Sequence, residues 1–176
     1  MPATRTLPET PTIAAEMADT LPDHGLLVPP DGVQRSARVR LALQCGFEDA
    51  VRITRADVGL LHLCGDAFLY TVAVHGLDTS LHMHVAVSFW DDAMQQVLRG
   101  GAVVGRMTDG APQGAVARRL RAAELPEGVL AVPVMEAGQV EAVVELGRLH
   151  GALGPHDEER VARVMRGSLQ ALATAA

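Results

Sequence analysis

Two pairs of apolar runs, each pair closing on a glycine-bearing turn, constrain this chain more than any other feature. Val58-Gly-Leu-Leu-His-Leu-Cys64 and Ala67-Phe-Leu-Tyr-Thr-Val-Ala-Val74 flank Gly65-Asp66. Gly128-Val-Leu-Ala-Val-Pro-Val-Met135 and Gln139-Val-Glu-Ala-Val-Val-Glu-Leu146 flank Glu136-Ala137-Gly138. Runs of this length about such turns predict two β-hairpins.

Helical periodicity brackets the hairpins. Val39, Leu43, Phe47, Ala50 and Val51 recur at spacings of three and four, which predicts an amphipathic helix over residues 34–54, with Glu48 placed four before Arg52. A closing helix starts at Pro155, where a first-turn proline is tolerated, and Val161, Val164, Met165, Ser168, Leu169 and Leu172 mark its buried stripe. Between the hairpins, residues 81–87 alternate as a third strand. Ser88 reads as the N-cap of a helix over 89–99 that stops at Gly100-Gly101, and a short strand (102–107) and a small helix (113–123) follow. The resulting order is α+β on a mainly antiparallel sheet, not the strict alternation of a doubly wound fold.

The 176 residues suffice for one domain, assigned to 34–176. Pro2, Pro8, Pro11, Pro22, Pro29 and Pro30 break every stretch of residues 1–33 that would otherwise propagate a helix, so this part reads as a flexible tail. Fifteen basic residues, all arginine, oppose 21 acids for a net charge of -6. That balance argues against a nucleic-acid partner or an anionic membrane surface. The two cysteines, Cys45 and Cys64, match neither a disulfide framework nor a zinc-finger spacing. The sequence has no apolar run long enough to span a bilayer and no signal-peptide core near its start. A cytoplasmic protein without membrane insertion is expected.

Chemistry-bearing residues are few. His62 and Cys64 share one strand face, His75 ends the next strand, and His82 and His84 lie two apart on the third, so each i, i+2 pair can present two donors to one side. Such a set suits a metal, or one histidine could ligate a haem, against the plainer reading of hydrogen-bonded histidines. His62 and Cys64 share their face with Val58 and Leu60 and should be buried. Phosphate-cradling, nucleophile-elbow and His-Glu-x-x-His motifs are absent from the sequence. Asp91-Asp92 and Asp157-Glu158-Glu159 sit at predicted helix starts, where the macrodipole accounts for them.

Four phrases, in this order and spacing, resemble a GAF domain, the small-molecule sensor module related to PAS domains, over residues 35–174. They are Ala56-Asp-Val-Gly-Leu-Leu, Val97-Leu-Arg-Gly-Gly-Ala-Val-Val with Asp109 beyond it, Val129-Leu-Ala-Val-Pro-Val-Met, and Leu153-Gly-Pro-His-Asp-Glu-Glu-Arg-Val. The resemblance implies a central sheet of about six strands, with the N- and C-terminal helices on one face and a pocket-covering segment, 76–123, on the other. It implies a small-molecule pocket lined by His82, His84, Phe89, Trp90, Met94, Val104 and Met107. It also implies a homodimer built from the first and last helices, with Arg38, Val39, Arg160, Arg163 and Arg166 at the interface. The absence of asparagine and lysine departs from the cyclic-nucleotide-binding members, and glycine after each cysteine departs from the pigment-attaching ones.

The expected function is a non-catalytic signalling protein without a resident cofactor, which senses a small ligand and acts through other signalling proteins. A ligand-free scaffold for dimerisation and protein interaction is the alternative. A sulfoxide-reductase-like GAF enzyme is a distant third, because two cysteines do not assemble its catalytic set.

Overall fold

The structure is a computed structural model and describes residues 37–65, 68–83, 86–88 and 91–174. The proline-rich tail, 1–33, lies outside the described residues. The elements are α1 (Ala37–Thr54), β1 (Val58–Cys64), β2 (Phe68–His75), α2 (Thr79–His82), β3 (Ala86–Ser88), α3 (Asp92–Leu98), β4 (Val103–Arg106), α4 (Ala111–Arg119), β5 (Gly128–Glu136), β6 (Gln139–Arg148) and α5 (Pro155–Thr174), with a 3-10 turn at Met107–Asp109.

The six strands form one sheet in the order β3-β2-β1-β6-β5-β4, and every pairing is antiparallel. The two hairpins seen in the sequence meet at the centre through β1 and β6, which explains why β1 is apolar almost throughout: both of its faces are covered. The second hairpin turns through Ala137 (φ 48°) and Gly138 (φ 82°) between the paired Glu136 and Gln139. Two positive φ values in a two-residue loop are what the right-handed twist of a tight hairpin demands.

Each face has its own core. On one, Leu43, Phe47 and Ala50 of α1 and Val161, Met165 and Leu169 of α5 pack on Leu61, Leu63, Val144 and Leu146. On the other, Met94 and Val97 of α3 and Val116 of α4, with Leu120 just beyond it, cover Val58, Leu60, Val129 and Val143. Gly46 sets how closely α1 and α5 approach, since a Cβ there would stand 2.7 Å from Ser168 Oγ. A bulge in β2 interrupts the β1 pairing: Leu61 faces Ala73 but His62 faces Thr71. The residue left over, Val72, offers its carbonyl to Gln44 Nε2 at 3.3 Å instead.

Several local expectations are corrected. The third strand is shorter than 81–87, because Asp78 accepts from Ser80 N and caps the single-turn helix α2, leaving only Ala86–Ser88 to pair with β2. Asp91, rather than Ser88, caps the following helix by accepting from Ala93 N and Met94 N, so α3 starts later than 89. The helix expected at 113–123 starts two residues earlier, with Pro112 in its first turn, and stops at Arg119. Arg52 pairs with Asp49 at 2.5 Å rather than with Glu48.

Candidate functional site

The α3–α4 side of the sheet carries a buried chain of polar groups. Alternation along β6 sends Val143 and Glu145 to this side and Ala142, Val144 and Leu146 to the other. Glu145 is fully buried, and so is His62 on the neighbouring β1. His62 Nε2 lies 3.3 Å from Glu145 Oε2, and its Nδ1 lies 3.0 Å from Thr71 Oγ1, a contact that the β2 bulge brings into register. A carboxylate only accepts, so Nε2 carries the proton of the first bond.

Arg119, the last residue of α4, completes the chain. Its Nε and Nη2 form a two-pronged contact with Glu145, at 3.0 Å and 2.5 Å, and its Nη1 donates to Asp91 Oδ2 at 2.7 Å. Asp91 also caps α3 through its other oxygen. One guanidinium therefore ties the end of α4, the start of α3 and the centre of the sheet together. Exposure rises along the chain, from zero at Glu145 to 16% at the Arg119 side chain and 28% at that of Asp91.

Burial alone would push the Glu145 carboxyl up. The Arg119 charge and the hydrogen bonds from His62 and Arg119 outweigh it and hold the group down at about 2. Burial opposes the Arg119 charge likewise, and Glu145 and Asp91 reverse that and raise its pKa. The site thus holds a fixed ion pair, and His62, bonded to both Thr71 and Glu145, is set to orient a carboxylate rather than to ligate a metal.

The residues singled out in the sequence are scattered around this network. His84, Phe89 and Trp90 lie outside the described residues. His82 is half-buried on α2, and Met94 is buried and Met107 half-buried on the α3–α4 side. Val104 packs against the opposite core, with α1 and α5, so it and Met94 are on different faces of the sheet. His75 faces Gly59 at one end of the β1–β2 pair, and Cys64 faces Leu69 at the other. His62, Cys64 and His75 therefore do not converge on one point, and no group of three metal-type side chains occurs among the described residues.

On the outer helices, Arg38, Arg163 and Arg166 are exposed, Val39 is half-buried against the core, and Arg160 is half-buried 3.9 Å from Asp157. Sequence reasoning missed Glu145, Arg119 and the second role of Asp91. The available signal was Glu145 itself, an acid amid apolar residues of a strand with both neighbours in the sheet.

No family model and no curated protein sequence matches the chain. Solved structures do. The GAF domain/HD domain protein of Geobacter sulfurreducens is 11% identical, with 77% of this chain and 92% of that one covered and a TM-score of 0.59. The GAF domain of a Coxiella burnetii phosphoenolpyruvate-protein phosphotransferase is 17% identical, covers 81% and 87%, and gives 0.59. The GAF-B domain of DevS from Mycobacterium smegmatis is 18% identical, covers 78% and 94%, and gives 0.57. The chain has the GAF fold.

Within the GAF fold, the helix pair α1 and α5 and the α3–α4 cover fall where the sequence resemblance placed them, on opposite faces of the sheet. Among the described residues, no helix is long and apolar enough to cross a membrane.

Proposed function

We propose that this chain is a non-catalytic GAF-type regulatory module of the cytoplasm, working as a homodimer through its outer helices and passing its state to another signalling protein. The observation that carries the reading is the division of labour between the faces. One is closed by an ion pair that ties cover to sheet, and the other presents two long helices with exposed Leu41, Arg163 and Arg166. Solved relatives in fold include domains of a sensor histidine kinase and a methyl-accepting chemotaxis protein, which supports a signalling role.

Two modes fit this module. The apolar cluster that α3 and α4 bury against the sheet among the described residues favours a scaffold that needs no ligand. Graded exposure from Glu145 to Asp91 favours the second mode, in which a small molecule opens the cover from the Asp91 end and shifts the population of helix arrangements. Native mass spectrometry of freshly purified protein separates them. Dimers carrying extra mass that denaturation removes support the sensor, clean dimers support the scaffold, and a monomer in both states overturns the dimeric module.

A further inference from the structure

The C-terminal end of α1 and the N-terminal end of α5 meet at a cavity of about 590 Å³, lined by Arg55, Asp57, Arg148, His150, Asp157 and Arg160 among others. Its volume falls in the range of small-molecule sites. Arg148 is held rigidly there: Nη1 donates to Ala152 O at 2.7 Å and Nη2 donates to Thr54 O. Both acceptors are neutral carbonyls. Its Nε is buried and bonds to nothing, and no carboxylate among the described residues pairs with this guanidinium. A half-buried guanidinium whose described partners are neutral carbonyls leaves a net positive potential in this cleft.

The other charges on the wall do not cancel it. Arg55 is exposed, with no ion pair among the described residues, on a backbone at φ 52°, a region L-residues rarely adopt. Arg160 reaches Asp157 only at 3.9 Å. The two acids are partly engaged elsewhere: Asp57 Oδ2 accepts from Leu149 N at 2.7 Å, and Asp157 Oδ2 accepts from Gly154 N at 3.1 Å. Three guanidiniums thus face two carboxylates that are already bonding backbone. The larger cavity between α1 and β2, about 680 Å³, lacks this excess, since its one arginine, Arg52, is paired with Asp49 and Glu48 also lines it.

We infer that the cavity between the ends of α1 and α5 binds a small phosphorylated metabolite through Arg55, Arg148 and Arg160. Guanidinium forks match phosphate oxygens in pairs, and a phosphate group offers three oxygens and up to two charges where a carboxylate offers two oxygens and one charge. Because both outer helices border the cavity, its occupant would brace their junction. That consequence rests on the regulatory reading above; the binding does not, so an empty site leaves that reading standing.

The test is calorimetric titration of the full chain with inorganic pyrophosphate at low salt, alongside malonate, with amide chemical shifts followed by NMR. The expected result is saturable pyrophosphate binding that is tighter than malonate binding. Arg55→Glu and Arg160→Glu, both at solvent-reached positions, should each weaken it at least about tenfold while the protein stays folded. The shifted amides should cluster at 53–57 and 148–160. Absent binding at millimolar pyrophosphate, equal or tighter malonate binding, unchanged affinity in both variants, or shifts centred elsewhere would each overturn the site.

Discussion

Glu145 and Arg119 are the residues on which the interior depends most sharply. A buried ion pair stabilises little compared with apolar residues of the same volume, but removing one member leaves the other charged and unpaired. Arg119→Met should therefore lower the unfolding free energy by about 3–5 kcal/mol in urea titration, and adding Glu145→Leu should restore much of that loss. If the double variant is no more stable than the single one, the pair is not the source of the cost. The pH dependence follows from the same bonds. Glu145 is held down at about 2 against an ordinary 4.5, so its contribution is complete above about 4.5 and is lost as pH falls through 2. The fall in stability across that window should be visibly shallower in Glu145→Gln; equal slopes would assign it to other acids. Residue types single out Glu145 as an acid in an apolar strand but do not name its partners. The plainer of the two readings of His62, a hydrogen-bonded histidine, is the one that fits, but the partner that explains it is 83 positions away, on a strand whose place beside β1 the sequence does not state.

At the scale of elements the sequence was most legible where local chemistry and tertiary demand agree. Both hairpins, α1 and α5 follow from periodicity and turn residues, because their apolar stripes are the same stripes that the two cores bury. Between 76 and 100 the helix α3 and its end follow from the sequence, but its start and the short third strand do not, because Asp78 and Asp91 start helices by capping, and capping depends on backbone geometry that alternation of side chains does not reveal. Asp91 has two separable jobs. Asparagine caps a helix about as well but carries no charge, so Asp91→Asn should keep α3 while weakening the hold on Arg119, and Asp91→Ala should lose both. Thermal or urea unfolding should place Asp91→Ala below Asp91→Asn by about 1 kcal/mol, with faster amide exchange confined to the first turn of α3. Equal stability of the two variants would mean that the cap contributes nothing there.

For the whole molecule, the decisive question is what the helix face does. α1 and α5 lie side by side over one core, and their outer surfaces carry an exposed leucine, Leu41, flanked by Arg38 and Arg40 on α1, with Arg163 and Arg166 on α5. The exposed acids Glu48 and Glu159 sit on the same two helices. A two-fold interface repeats each contact, so an arginine of one copy that meets a glutamate of the other does so twice, and a single reversal of sign counts double. Rim charges of this kind act through complementarity and are screened by salt. Arg163→Glu combined with Arg166→Glu should therefore raise the dimer dissociation constant at least about tenfold, equivalent to about 1.4 kcal/mol, in sedimentation at low ionic strength. The gap should narrow as salt is added, and the unfolding midpoint at high dilution should stay unchanged because neither side chain belongs to a core. A wild-type chain that sediments as a monomer throughout, or a variant that dimerises as tightly as the wild type, would remove α5 from the interface and leave the partner-binding surface to be sought on the edge strands β3 and β4.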